Sequence, residues 1–286
     1  MYLDSLDSKP MVEILLSTYN GESYLREQLE SLISQSYQNI VITIRDDASI
    51  DSTSDILREY VNSFPEKIRI IKSSANKGST LSFFELLKES KCEYIMFCDQ
   101  DDVWCVDKVR LSLNYLLDNK PIDNEPFMVF TDLEVVDENC KTISKSLLKR
   151  MKVNPSRLIR SPIYMMAQNA VAGCTVLFNR SAADKLLEIG DFPKEIVHDH
   201  WIAVITKIYG DVAFLDIPTI KYRQHSFNQV GDLDVSKKYL INKLFKIKNT
   251  IKHDYLFICK IKAHYNISIV KFLTVKIALN FYRFLK

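Results

Sequence analysis

Tyr94-Ile95-Met96-Phe97-Cys98-Asp99-Gln100-Asp101-Asp102-Val103-Trp104 is a short apolar run that ends abruptly in three carboxylates. An apolar run without alternation reads as a strand buried on both faces, as in a parallel sheet. The same form occurs three times upstream. Residues 12–16 end in Ser17-Thr18-Tyr19-Asn20-Gly21, residues 40–44 in Arg45-Asp46-Asp47-Ala48-Ser49, and residues 68–71 lead to Asn76-Lys77-Gly78. Helical segments lie between them: 22–34, 52–61 with Ser52 or Thr53 as its cap, and one near 80–89. Regular alternation of strand and helix predicts an α/β fold with a parallel sheet and covering helices. Ligands of such sheets sit at the carboxyl ends of the strands. Four polar strand ends therefore point at one crevice.

The second half is less regular. A strand is expected at 127–130, ending at Thr131-Asp132, and a turn and strand at 170–178. A helix opens at His198-Asp199-His200-Trp201 and runs to about 208, and a strand at 212–215 precedes Tyr222-Arg223-Gln224-His225. Gly190 and Gly210 read as helix ends. A boundary is expected near Gly231, dividing the chain into an α/β domain, 1–231, and a basic helical extension, 232–286.

The 286 residues are 47% hydrophobic and 26% charged, enough apolar material for a sizeable core. The six cysteines form no CxxC pair and no histidine stands at zinc-finger spacing, so they read as reduced, structural thiols of a cytoplasmic chain. No basic and apolar leader opens the sequence, and no apolar run reaches spanning length. The net charge of +2 hides an asymmetry: residues 236–286 carry +11 and residues 1–235 carry −9.

Asp99 and Asp101, one residue apart at a strand end, can meet one hard cation such as Mg²⁺ or Mn²⁺, which leaves positions open for phosphate oxygens. For an isolated acidic pair, a cap or solvated turn is the commoner explanation. Asp102-Val103-Trp104 reads as a helix start with an acidic first turn. Asp46 and Asp47 can accept the imide N–H of uracil or thymine, or a ribose hydroxyl, while a capped helix accounts for Ser52 and Thr53. Asp199 suits a general base on a hydroxyl, or a plain N-cap. Arg223 can clamp a phosphate and a neutral His225 can bind a metal; a lone histidine is more often structural.

Together and in this order, these motifs resemble the family 2 glycosyltransferases of the GT-A fold. The resemblance rests on Ser17–Gly21, Asp46–Thr53, Asn76-Lys77-Gly78, Asp99–Trp104, Gly173-Cys174-Thr175, His198–Trp201 and Tyr222–His225, and covers about residues 11–231. It implies a Rossmann-like, mostly parallel sheet and an inverting, metal-dependent transfer of sugar from a nucleotide-diphosphate donor. Thr18, Tyr19, Asn20 and Asp46 or Asp47 would hold the nucleoside, with Lys77 and Gly78 near the nucleotide. Asp99 would contact ribose or metal-bound water and Asp101 would ligate Mn²⁺ or Mg²⁺. Asp199 would be the catalytic base, and Arg223 and His225 would meet diphosphate or metal. Many members have Ala or Gly at the position of Gln100, and Glu at that of His198. The variants in this chain resemble the bacterial rhamnosyltransferase-like branch, which builds capsule, O-antigen or cell-wall polysaccharide. The donor implied is a dTDP- or UDP-sugar, with L-rhamnose favoured, and the acceptor a glycan or lipid-linked glycan.

The tail alternates lysine with Leu, Ile, Phe and Tyr. Such helices suit an anionic membrane surface at the inner face of the cell membrane, or form a lid whose apolar faces pack on the catalytic domain. No nucleic-acid recognition motif accompanies the charge. A sugar nucleotidyltransferase would want a Gly- and Lys/Arg-rich phosphate loop, which residues 17–21 lack. A non-catalytic scaffold would be expected to have lost Asp101 or Asp199, and both are present.

Overall fold

The computed structural model describes residues 9–71, 73–121, 124–190, 192–193, 196–225 and 247–285. Its first half is the expected alternation. Strand β1 (Val12–Thr18) is followed by α1 (Leu25–Ile33), β2 (Ile40–Asp46), α2 (Thr53–Ser63), β3 (Ile68–Ile71), α3 (Ser79–Glu89) and β4 (Tyr94–Cys98). These four strands pair in parallel, in the order β3-β2-β1-β4. Strands β1, β2 and β4 are buried on both faces, as their largely apolar runs require, while the edge strand β3 exposes Arg69 and Ile70. On one face Leu15, Ile95 and Phe97 pack with Phe83 and Leu87 of α3. On the other, Ile14, Leu16 and Met96 pack with Leu29 of α1 and Leu57 of α2. Glu13 interrupts the apolar run at a fully buried position and accepts hydrogen bonds from Ser90, Thr43 and Arg69. Burial raises its carboxyl, but those bonds together bring it below its ordinary value.

The chain continues through β5 (Val103–Trp104), α4 (Lys108–Asn119), β6 (Phe127–Val136), β7 (Thr142–Ser144), α5 (Leu147–Arg150), α6 (Pro155–Leu158) and α7 (Pro162–Ala167). A single 3-10 turn at Gly173–Thr175 leads into β8 (Val176–Asn179), α8 (Arg180–Ile189), α9 (His198–Tyr209), β9 (Asp211–Arg223), α10 (Ile247–Ile261) and α11 (Ile269–Leu285). The sheet extends as β4-β8-β6-β9-β5, with β7 on β6. Pairing here is mixed: β8 runs antiparallel to both neighbours, while β6 and β9 are parallel.

Three expectations need correction. Val103 and Trp104 do not open a helix; they pair with Lys221 and Ile220 of β9, and α4 begins only at Lys108. Strand β9 spans 13 residues rather than four, and takes Pro218 where its register against β6 shifts. Asp199 is not an N-cap, because Val197 holds that position. The boundary at Gly231 and the lysine-rich stretch up to 246 lie outside the described residues. Beyond them, Phe257, Ile261, Phe272 and Leu279 share one apolar cluster with α7 and α9, so this part of the tail packs on the rest of the chain.

Candidate active site

The ends of β1 and β2 are laced together. The Asn20 N–H donates to Ser49 Oγ at 2.9 Å, and Asn20 Oδ1 accepts from the Ile50 N–H at 3.0 Å. The Gly21 N–H donates to Thr53 Oγ1 at 2.8 Å. Asn20 sits at φ 49° and Ala48 at φ 67°, a left-handed conformation that L residues adopt only when their surroundings over-determine it. Tyr19 is left 43% exposed above this platform. Asp46 accepts from both the N–H and the hydroxyl of Ser49 through one oxygen, Oδ1.

Asp47 differs from its neighbour. It is buried, and its carboxylate accepts from the N–H groups of Lys77 at 2.9 Å and Gly78 at 2.8 Å and pairs with buried Arg45 at 3.0 Å. These partners turn it inward, so it shapes the loop before α3 rather than presenting an oxygen to a nucleoside. Gly78 at φ 82° permits that turn. Lys77 sends its ammonium to Glu85, 3.3 Å away. Asp47→Ala leaves the Arg45 guanidinium buried and unpaired, and is expected to cost about 3–5 kcal/mol of stability. Thermal unfolding measures it.

Gln100, the central residue of the acidic motif at the end of β4, grips the loop that leaves the neighbouring strand β1. Its Oε1 accepts from Thr18 Oγ1 at 2.6 Å and from the Tyr19 N–H at 2.7 Å, and its Nε2 donates to the Tyr19 carbonyl at 3.1 Å. A Cβ at position 21 would lie 2.6 Å from Gln100 Oε1, which accounts for Gly21. Sequence reading noted Gln100 only as a variant; a partner 81 residues away leaves no local signal. Gln100→Ala removes a bidentate clasp of the Tyr19 peptide and is expected to weaken nucleotide binding about tenfold. Calorimetry on the variant checks this.

The acidic motif itself divides into different environments. Asp101 Oδ2 lies 2.9 Å from His225 Nε2, and the His225 ring stacks on Tyr24 with centroids 4.8 Å apart. Burial, then the charges of Asp101 and Asp199, push the Asp99 carboxyl up to about 7. Asp102 is fully buried; its Oδ1 accepts from the Arg223 N–H at 3.2 Å. Burial, then Asp101 and Asp99, drive it well above the carboxylate range. Among the described residues, Asp99, Asp102 and Cys174 bring donor atoms within 4.8 Å of one another, whereas the expected trio of Asp99, Asp101 and His225 does not form that tight group. A thiol held up by burial and a neutral carboxyl suit a hard cation poorly. The carboxyl oxygens of Asp101 and Asp99 are the donors that Mn²⁺ or Mg²⁺ prefers, and the His225 imidazole is a softer one.

Arg223 does not stand free for a phosphate. Its guanidinium donates to the carbonyls of Asp101 at 3.0 Å and Glu138 at 2.6 Å, pairs with Glu27, and lies over the Tyr24 ring. Here it fixes the backbone that carries Asp101. The bond to a carbonyl survives any change of the Asp101 side chain.

Helix α9 carries Asp199 in its first turn. Its Oδ1 accepts from Asn169 Nδ2 at 3.0 Å, a partner the sequence reading did not single out. Burial raises its carboxyl to about 6, against bonds from Asn169 and the backbone that lower it. His198 beside it is a core residue. It stacks on Phe83 at 4.3 Å between centroids, and burial lowers its pKa to about 3, so it is neutral. A Cβ at position 173 would lie 2.5 Å from His198 Nε2; glycine there lets the 3-10 turn close over the imidazole. His200 ties α9 to the Met165 carbonyl at 2.8 Å.

A sequence model described as Glycosyl transferase family 2 matches residues 13–160. The dTDP-rhamnosyl transferase RfbG of Shigella flexneri is 30% identical over 248 residues, which is 82% of this chain and 79% of that protein. S. aureus TarS 1-349 in complex with UDP-GlcNAc superposes with a TM-score of 0.65 at 15% identity, over 96% of this chain and 73% of TarS. Mannosyltransferase PcManGT from Pyrobaculum calidifontis, solved with GDP-Man and Mn2+, gives 0.58 at 14% identity, over 98% and 84%. At those identities the two structures establish a shared fold, the GT-A arrangement expected from the motifs.

Proposed function

The chain belongs to glycosyl transferase family 2 and is a glycosyltransferase; on that premise we propose that it inverts the anomeric centre of a nucleotide-diphosphate sugar in a single displacement, with a divalent cation. The observation that carries this is the electrostatic coupling of Asp99 to both Asp101 and Asp199. The charges of Asp101 and of Asp199 both raise Asp99, so the acidic motif and the first turn of α9 lie close together, as a donor-diphosphate site facing a base requires.

Asp199 accepts the proton of the acceptor hydroxyl. The hydroxyl oxygen bonds to the anomeric carbon on the face opposite the diphosphate, and the bond to the phosphate oxygen breaks with its electrons leaving on the diphosphate. Asn169 holds the base in place. Thr18, Tyr19, Asn20 and Asp46 form the nucleoside platform, with Gln100 fixing it to the acidic motif. Asp47, Lys77 and Gly78 shape its wall. Asp101, with His225 and Asp99, would hold Mn²⁺ or Mg²⁺, which neutralises charge on the departing diphosphate. Arg223 acts on this centre by positioning Asp101.

The donor favoured is dTDP-L-rhamnose, by likeness to RfbG, with a UDP-sugar as the alternative. The acceptor is a glycan or lipid-linked glycan of a bacterial surface polysaccharide. The enzyme works in the cytoplasm, and its basic tail draws it to the inner face of the membrane. Among the described residues no helix is long and apolar enough to cross a membrane.

Calorimetric titration with dTDP, UDP and GDP, in Mn²⁺ and then in EDTA, tests the donor site. Tight binding of one nucleotide in Mn²⁺ alone is expected and names the donor class. Failure of all three to bind sinks the reading.

A further inference from the structure

Helix α11 is apolar on two sides. Phe272 and Leu279 face inward and are buried. Val270, Leu273, Ile277 and Phe281 fall on the opposite side at spacings of three or four residues, and Val270, Ile277 and Phe281 are each more than 60% exposed. A helix that needed only to pack on the domain would carry polar residues there.

A strongly basic segment adjoins this helix. Between Glu138 and Asp184 the chain has eight basic residues and no acid. That stretch contains α5 and α6, where Lys145, Lys149, Lys152 and Arg160 are exposed. It adjoins α11: the Arg157 guanidinium lies 5.1 Å from the Tyr282 ring centroid and 5.8 Å from that of Tyr164 in α7. On the tail itself, Lys260, Lys262 and Lys271 are exposed, and the one acid beyond residue 235, Asp254, is paired with Lys276. An apolar stripe bordered by lysine and arginine is the complement of an anionic bilayer, with side chains entering the acyl boundary and cations meeting headgroup phosphates.

We propose that the outer face of α11, together with the basic α5–α6 segment, docks this enzyme on an anionic lipid bilayer. The face is built onto the acceptor side of the site. Helix α7 packs against α11, its Met165 carbonyl meets His200 of α9, and the chain leaving it supplies Asn169 to Asp199. Docking there leaves α11 and α7 between the membrane and the chain that holds Asp199. This deepens the proposed function by locating its lipid-linked acceptor, and rests on that reading only for the acceptor.

The test is co-sedimentation of the full chain, without nucleotide, with vesicles of phosphatidylcholine alone or with about one third phosphatidylglycerol. Binding to the anionic vesicles only, weakening with salt, is expected. The double variant Ile277→Glu/Phe281→Glu is expected to bind at least about tenfold more weakly, and Lys149→Glu/Lys152→Glu about tenfold more weakly. Both are expected to keep the wild-type Tm and nucleotide affinity, so failure here is distinguishable from failure of the donor site. Equal binding to both vesicle types, or undiminished binding by the apolar variant, overturns the proposal. So does a dimer that the apolar variant dissolves, which makes a second copy the occupant. A lowered Tm in that variant also overturns it, by assigning the stripe to internal packing.

Discussion

Asp199→Asn is expected to cut sugar transfer by about a hundredfold or more while leaving the affinity for the nucleoside diphosphate unchanged. The amide keeps the shape of the carboxylate and cannot take a proton. Its partner Asn169 holds it at the first turn of α9, away from the nucleoside platform at the ends of β1 and β2. Loss of nucleotide binding in this variant would make Asp199 structural and remove the base from the mechanism. The wild-type pH profile provides an independent check. Burial raises Asp199 to about 6, so below that pH it is protonated and cannot accept the acceptor's proton. Transfer measured as kcat/KM is therefore expected to fall about tenfold per pH unit below 6 and to level off above it. Asn169 stabilises the charged form, so Asn169→Ala is expected to move the break to higher pH.

The second large effect is expected at Asp101. Asp101→Asn removes the charge that faces His225 Nε2 at 2.9 Å, and with it a ligand of the proposed cation. Turnover is expected to drop by about a hundredfold or more, and nucleotide titration in Mn²⁺ to become indistinguishable from titration in EDTA. The local fold is expected to persist, because Arg223 holds the Asp101 carbonyl and not its carboxylate. Near-normal turnover with intact Mn²⁺ dependence would move the cation away from Asp101.

The parallel half of the sheet was legible because its strands are mostly apolar runs ending in polar loops, and each end is set by residues within a few positions. Strand 94–98 carried the fold for that reason. Val103 and Trp104 were misread because a two-residue strand has no period; its partner, β9, lies more than a hundred residues away. The length of β9 was hidden likewise, since Pro218 mimics a strand end until the register shift against β6 accommodates it.

The candidate site was legible as a set of residues and less so as a division of labour. Asp46 and Asp47 are adjacent and chemically identical in sequence; only the pairing of Asp47 with Arg45 and the 77–78 backbone separates their roles. Arg223 has the chemistry of a phosphate clamp, yet Glu27, Glu138 and Asp101 converge on it from three distant segments. The clasp of Gln100 on Tyr19 likewise exists only after folding. In the tail, lysine-punctuated apolar residues fitted a lid or a membrane face. In α11 Phe272 and Leu279 serve the first purpose, and Val270, Ile277 and Phe281 remain outside that packing.

The most direct test of the central claim is donor turnover. The purified chain is incubated with dTDP-L-rhamnose, UDP-hexoses or GDP-mannose, Mn²⁺ and a bacterial lipid-linked glycan fraction, and the nucleoside diphosphate released is measured in parallel with Asp199→Asn. Release from one donor class, abolished by EDTA and by Asp199→Asn, is the result the account predicts. Release that Asp199→Asn leaves untouched, or none from any donor, would contradict it.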